Sequence, residues 1–328
     1  MAVQLRFSRR ALVGGAVAAT VALGGAFASA QDKFPGDQPV QIVIHAKYGG
    51  GTDTTARMMM IRSRRNLDGD MVVVSKRGGG GAAAHVYANE RPRDGYTVLA
   101  LTQTHLYTIA RGKSVLKIED LVGIARAMDD PTFITVRKDS PMKNLADLIE
   151  ASKKAPLNWG VAEIGSTEHI GLARFAKAAG IKYKAVPFGS GAQMVQALLA
   201  GTIDATLPNV SEAVGQISEG SLRPIVVLAD KRLAGYPDIE TAKENGIDVR
   251  VTTTRGYAVL KGTPQDRIDA LEAALTKAMK HDTFAGYLAG SGLTAEDSVA
   301  GSEAWTQNIR EEYAAAVEAL TELGFQKK

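Results

Sequence analysis

The sequence predicts an α/β protein of about two domains, each a mainly parallel sheet flanked by helices, and three observations carry that expectation. The chain has 328 residues, 45% apolar and 23% charged, a globular composition that excludes a disordered or fibrous chain. From Val40 to Ala258, short β-rich runs alternate with helical periodicity, the signature of α/β units. No long Pro/Ser linker or internal repeat separates two halves, so the chain should cross between domains on short segments, more than once. Asp129-Asp130-Pro131 is the expected first crossing and Asp248 to Thr254 the expected return. The segments are then 1–30 as an export signal, 31–131 and 252–328 as one domain, and 132–251 as the other.

Residues 1–30 read as a signal because Arg6, Arg9 and Arg10 precede a Gly- and Ala-rich apolar run, Ala11 to Phe27, that ends in Ala28-Ser29-Ala30, a small-residue cleavage pattern. A paired arginine before a mildly apolar run resembles a twin-arginine signal, with an ordinary Sec signal as the alternative. The run is short for a membrane span, which takes roughly 20 mostly apolar residues. The expected product is a periplasmic protein starting at Gln31. It contains no cysteine, which excludes a disulfide framework and a lipid-modified cysteine. Without the three arginines of residues 1–30, 36 basic side chains face 35 acidic ones. Such a balance leaves no electrostatic footprint for nucleic acid.

In order along the mature chain, strands are expected at Val40 to Ala46, Met71 to Ser75, Tyr96 to Thr102, Phe133 to Val136, Leu157 to Val161, Tyr183 to Phe188, Ile203 to Thr206 and Leu222 to Ala229. Helices are expected at Thr52 to Leu67, Asn144 to Ala155, Ser166 to Ala179, Ser190 to Ala200 and Ser211 to Glu219, several closed by a glycine (Gly180, Gly201, Gly220). From Thr263 the pattern is helical, opened by Thr263-Pro264 with Asp266 at a capping position, and ends in an amphipathic helix from Ser302 to Leu323. Trp159 and Trp305 read as core.

The candidate site residues lie on turns between strands and helices. Tyr48-Gly49-Gly50-Gly51-Thr52-Asp53 joins the first strand to a helix, where free N–H groups and the helix dipole favour an anion, while capping by Thr52 or Asp53 explains the same residues without a ligand. Gly78 to Gly81, including Gly80, repeats the arrangement after the second strand, behind Lys76 and Arg77. Open α/β sheets bind ligands beyond their strand C-termini. Gly165-Ser166-Thr167 is a third such turn, with capping again the plain alternative, and Phe188-Gly189-Ser190-Gly191 is similar. His105 after a strand end, Asp204 in a short apolar strand, and Arg255 in a Thr-rich run are candidate cleft residues; Asp204 could equally cap a turn. Other chemistries fail on spacing. The first turn lacks the third glycine of a dinucleotide fingerprint, Gly112-Lys113-Ser114 lacks the upstream glycine of a phosphate-binding loop, no G-x-S-x-G elbow is present, and the five histidines have no metal-ligand spacing. No catalytic residue, metal or cofactor is expected.

Several short motifs in order resemble the periplasmic solute-binding proteins of tripartite tricarboxylate transporters, the Bug family. They are Gly49-Gly50-Gly51-Thr52-Asp53, Asp94-Gly95-Tyr96-Thr97, Gly165-Ser166-Thr167-Glu168-His169, Val186-Pro187-Phe188, Gly201-Thr202-Ile203-Asp204, Tyr236-Pro237-Asp238 and Gly262-Thr263-Pro264. The likeness runs from Pro39 to about Phe325. It implies a two-lobe clamshell that closes on a small carboxylate, with the Gly49 turn in one lobe and the Gly165 turn in the other donating N–H groups. Three departures bear on the ligand: His45-Ala46-Lys47-Tyr48 ahead of the first turn, Lys76-Arg77-Gly78 at the second, and Phe188 where the family often has tyrosine. The resemblance implies a monomeric, non-catalytic receptor for a di- or tricarboxylate or an aromatic acid, partnered by integral-membrane transporter subunits. Rival readings are a ligand sensor for a membrane signalling protein, or an enzyme on the same fold, the latter disfavoured because no nucleophile, base and orienting group fall at motif spacing.

Overall fold

The computed structural model describes Met1 and residues 34–325; the expected export signal and its cleavage site fall almost wholly outside these residues. The alternation of β-rich and helical runs folds into two five-stranded sheets of matching topology. The first contains β1 (Val40–Ile44), β2 (Met71–Ser75), β3 (Thr97–Leu101), β4 (Leu121–Pro131) and β10 (Thr252–Leu260), in the order β2-β1-β3-β10-β4. The second contains β5 (Phe133–Arg137), β6 (Leu157–Val161), β7 (Tyr183–Pro187), β8 (Ala205–Thr206) and β9 (Leu222–Val227), in the order β7-β6-β8-β5-β9. Each sheet is parallel except for one strand, β10 in the first and β5 in the second. That odd strand is the one the chain reaches from the other sheet: β4 leads through Thr132 into β5, and β9 leads through residues 228–251 into β10. A strand arriving from the far sheet must run away from it, whereas its neighbours run toward it.

Helices cover both faces of each sheet. On the first, α1 (Gly51–Leu67), α8 (Gln265–Met279) and α9 (Asp282–Ala289) enclose Ile42, Met59, Leu271 and Phe284 on one face. On the other, α2 (Ala82–Asn89), α3 (Gln103–Ala110) and α11 (Ser302–Glu322) enclose Val43, Leu99, Trp305 and Leu320. The short α10 (Ala295–Ser298) precedes α11. In the second lobe, α4 (Leu145–Lys154) and α5 (Thr167–Ala179) pack Leu148, Phe175 and Trp159 together, and α6 (Gly191–Leu199) and α7 (Val210–Ser218) cover the other face through Val195, Leu198 and Ala213. Both tryptophans are buried, as their sequence context implied.

The departures from the sequence expectation are local. β4 and β10 were not expected as strands, nor α2 and α3 as helices. Of the strand expected at Ile203 to Thr206 only Ala205–Thr206 is extended. The helix after Pro264 opens without a side-chain cap: Thr263 Oγ1 donates to the Leu260 carbonyl instead, and Asp266 pairs with Arg267 at 3.6 Å.

Candidate ligand-binding cleft

Four helices begin where the two sheets face each other. α1 starts behind Gly50, α5 behind Ser166, α6 behind Ser190 and α7 behind Asn209. Their first residues share a cavity of about 30 Å³, lined also by His45, Thr102, Thr104, Ala162, Thr253 and Arg255. That volume has room for about two waters, so the cleft is shut. Strands that run toward the cleft hand over to helices whose N–H ends point into it, which is why the topology gathers four positive dipole ends in one place.

The chain's own carboxylates meet those ends. Glu212 Oε1 accepts the Gly51 N–H across the lobes at 2.9 Å and lies 3.9 Å from Arg255 Nη2. Its other oxygen accepts the Asn209 N–H and lies so close to Gly191 that any β-carbon there would collide with it. Gly51 is equally constrained: an added β-carbon would stand 2.7 Å from Glu212 Oε1 and against the Arg255 guanidinium. Arg255 Nη2 also donates to Asp130 Oδ2 at 3.2 Å and to Asn209 Oδ1 at 2.9 Å. Burial works against the charge on Arg255, yet Asp130 and Glu212 outweigh it and hold the pKa above its ordinary value. Burial pushes Asp130 up to about 6 despite Arg255, and burial with the nearby Glu212 raises Glu168.

A chain of three imidazoles leads to the same cavity. Ser114 Oγ lies 2.7 Å from His85 Nδ1, His85 Nε2 is 2.7 Å from His105 Nδ1, and His105 Nε2 is 3.1 Å from His45 Nδ1. All three rings are buried. Burial above all brings His45 down to about 3 and His85 to about 4, and holds His105 well below its usual range. They are neutral at pH 7, so each ring has one donor and one acceptor nitrogen.

Of the sequence-predicted residues, Gly50, Gly51, Thr52, Thr167 and Arg255 come together around the cavity. The capping alternative describes others. Gly49 donates to Asp53 Oδ2 at 2.7 Å while Asp53 Oδ1 accepts from Arg57, and Ser166 accepts the His169 N–H. Gly165 donates to His169 Nδ1 at 3.0 Å and faces the Arg111 guanidinium of the opposite lobe, which an added β-carbon would strike. Gly80 donates to Glu163 Oε2 of the opposite lobe at 2.8 Å. His105 sits behind His45, Tyr48 is 58% exposed with its hydroxyl accepting from the Ser75 N–H, and Phe188 packs on the apolar cluster under α6. Asp204 is not at the cavity: it accepts the Asn158 N–H at 2.8 Å and lines a separate hollow with Arg137 and Ser140. The short loop before β8 turns it away from the cleft, as its turn-capping alternative implied.

Sequence reasoning passed over Glu168, Asn209 and Glu212 as site residues, and noted Ser190 and Gly191 only as part of a turn. The pair Asn209 and Glu212 had a readable signal, the spacing of a capping box; the box is present, and its glutamate also reaches into the opposite lobe.

Comparison with known proteins agrees with this architecture. Residues 55–324 match the family described as the tripartite tricarboxylate transporter family receptor. A UPF0065 protein of Bordetella pertussis is 29% identical over 289 residues, covering 84% of this chain and 87% of its own. Among solved structures, a TctC solute-binding protein from Polaromonas is 28% identical, with a TM-score of 0.65 over 88% of this chain and 99% of that one. MatC from Rhodopseudomonas palustris is 24% identical, with a TM-score of 0.81 over 88% of this chain and all of that one. With a family match over most of its length and two lobes meeting at a cleft of helix N-termini, this chain belongs to the tripartite tricarboxylate transporter receptor family.

Proposed function

We propose that the protein is a periplasmic solute-binding receptor that captures a small organic carboxylate, leaves it chemically unchanged and delivers it to integral-membrane subunits of a tripartite tricarboxylate-type transporter. The observation that carries this reading is the convergence of four helix N-termini and Arg255 on one cavity between the lobes, an arrangement suited to a carboxylate. MatC of this fold is described with bound malate, which supports a carboxylate as the ligand class. Export rests on the arginine-led apolar segment ending at Ala30; among the described residues no helix is long and apolar enough to cross a membrane.

Binding would be coupled to closure, with residues 34–131 and 252–325 forming one lobe and 132–251 the other. The two crossings run side by side, Leu228 N–H bonding to Thr132 O and Val251 N–H to Leu228 O, as a two-segment hinge would. A thermal-shift screen of organic acids followed by calorimetry tests the reading. A ligand present at 100 times its dissociation constant adds about 2.7 kcal/mol of stability. Gly50→Val should then weaken binding at least tenfold, because a β-carbon at Gly50 stands 2.9 Å from Ser190 Cβ of the other lobe. No stabilisation by any organic acid, or undiminished affinity in folded Gly50→Val, refutes it.

A further inference from the structure

The first turn of α7 places an anion where the donors of the cleft converge. Glu212 is the third residue of that helix, and its side chain is only 8% exposed. Its Oε1 accepts the Gly51 N–H at 2.9 Å and stands 3.9 Å from Arg255 Nη2, while Oε2 accepts the Asn209 N–H at 3.3 Å. Gly51 opens α1 and Arg255 lies on β10, both in the opposite lobe, whereas Asn209 caps the helix that carries Glu212. Gly191, the first residue of α6, leaves room for the carboxylate because it has no β-carbon to strike Oε2.

Helix starts beside a guanidinium are what a carboxylate receptor offers its ligand, and here one of the chain's own side chains takes them. An incoming carboxylate cannot share the place. The cavity beside Glu212 measures about 30 Å³, room for about two waters. The Gly51 N–H has a single proton to donate. Arg255 already serves Asp130 at 3.2 Å, and a further carboxylate crowded against Glu212 away from water would be strongly repelled. Glu212 can nevertheless withdraw without losing every partner, since the Asn209 N–H belongs to its own lobe and stays with it when the lobes part.

We infer that Glu212 is a built-in competitor: in the shut cleft its carboxylate holds the position that an incoming carboxylate must take, so binding exchanges one carboxylate for another and Glu212 sets the affinity. The inference rests on the carboxylate-receptor reading and deepens it. A ligand binds only the fraction of molecules in which Glu212 has withdrawn, and the apparent affinity is reduced by that fraction. A charge-assisted bond across the lobes is strong enough to hold the fraction below roughly one in ten.

Acetate has the shape and charge of what Glu212→Ala removes beyond the β-carbon, so acetate is the probe, with acetamide as its uncharged counterpart. Both are titrated into the full mature chain and into Glu212→Ala, by thermal shift and calorimetry. Acetate is expected to bind the variant at least tenfold more tightly than the wild type, and acetamide to bind neither. Equal acetate binding by the wild type and folded Glu212→Ala overturns the inference. So does equal binding of acetamide by the variant, which would show that filled space and not charge is restored. Glu212→Gln keeps the shape of the side chain and decides the matter where Glu212→Ala does not fold: it is expected to bind the best acid of the organic-acid screen tenfold more tightly than the wild type. Unchanged or weaker binding by Glu212→Gln overturns the inference and leaves the carboxylate receptor intact. Silence of the wild type and both variants toward every acid, acetate included, overturns the receptor reading and this inference with it.

Discussion

His45, His85 and His105 show how a single residue type can be read in isolation and misjudged in company. Their sequence spacing matches no metal-ligand motif, and it is tertiary packing that threads them into one hydrogen-bonded series ending at the cleft. The consequence is a pH dependence with a definite sign. In the unfolded chain these imidazoles titrate near 6.5, whereas burial holds their folded values near 3 to 4 or well below the usual range. Below pH 6.5 the unfolded state therefore binds protons that the folded state refuses, and stability falls as pH drops through that window. Asp130, raised to about 6, acts in the opposite direction, so the histidine contribution is read as a difference. His85→Gln should lose less stability than the parent between pH 6.5 and 4.5, by as much as about 3 kcal/mol over the full titration. Urea denaturation at several pH values measures this, and parallel slopes would remove His85 from the account.

At the scale of elements, α11 explains why the sequence concealed two strands. Trp305 lies in a slot over β4 and β10 made by Gly123 and Gly256, where any β-carbon would strike the indole, and its Nε1 donates to the Tyr257 carbonyl at 3.1 Å. With helices on both faces, all nine residues of β10 are buried, so the alternation that marks a half-exposed strand is missing. Trp305→Ala should cost about 3–5 kcal/mol, read as a fall in the denaturation midpoint, while a loss below 1 kcal/mol would mean the slot collapses around the vacancy. The same helix carries Glu312, which burial pushes up to about 7 beside Thr254 of β10 and Asp129 of β4. A carboxyl with a raised folded pKa weakens the fold above that pKa and ceases to do so below its unfolded value near 4.5. Glu312→Gln is therefore expected to gain about 1–3 kcal/mol at pH 8 and nothing at pH 4. A gain that persists at pH 4 would point to packing rather than charge.

Over the whole molecule, the lobes are held shut by bonds from the very turns that the sequence marked for a ligand. Gly51 bonds to Glu212, Gly80 to Glu163, the Lys47 N–H to the Gly189 carbonyl, and Thr104 Oγ1 lies 3.2 Å from Thr167 Oγ1. Charge-assisted bonds of the first two kinds contribute about 1.5–3 kcal/mol each, enough together to move a two-state closure equilibrium by well over tenfold. The double variant Glu163→Ala, Glu212→Ala should show a larger radius of gyration than the parent in small-angle scattering without added ligand. An unchanged radius would mean that the apolar contacts of the hinge, not these carboxylates, hold the lobes together.

The sequence by itself determined the alternating α/β plan, most of the strands and helices, the glycine turns at the cleft and the family resemblance. Those features are local, resting on periodicity, caps and turn residues within a few positions of one another. Only the tertiary structure decided that Asp204 faces away from the cleft, that β10 pairs with β4 at one edge of the first sheet, and that Glu212 lies against Gly51, 161 positions earlier. Which donor a buried carboxylate finds depends on the closing of two lobes, and no spacing along the chain encodes that distance.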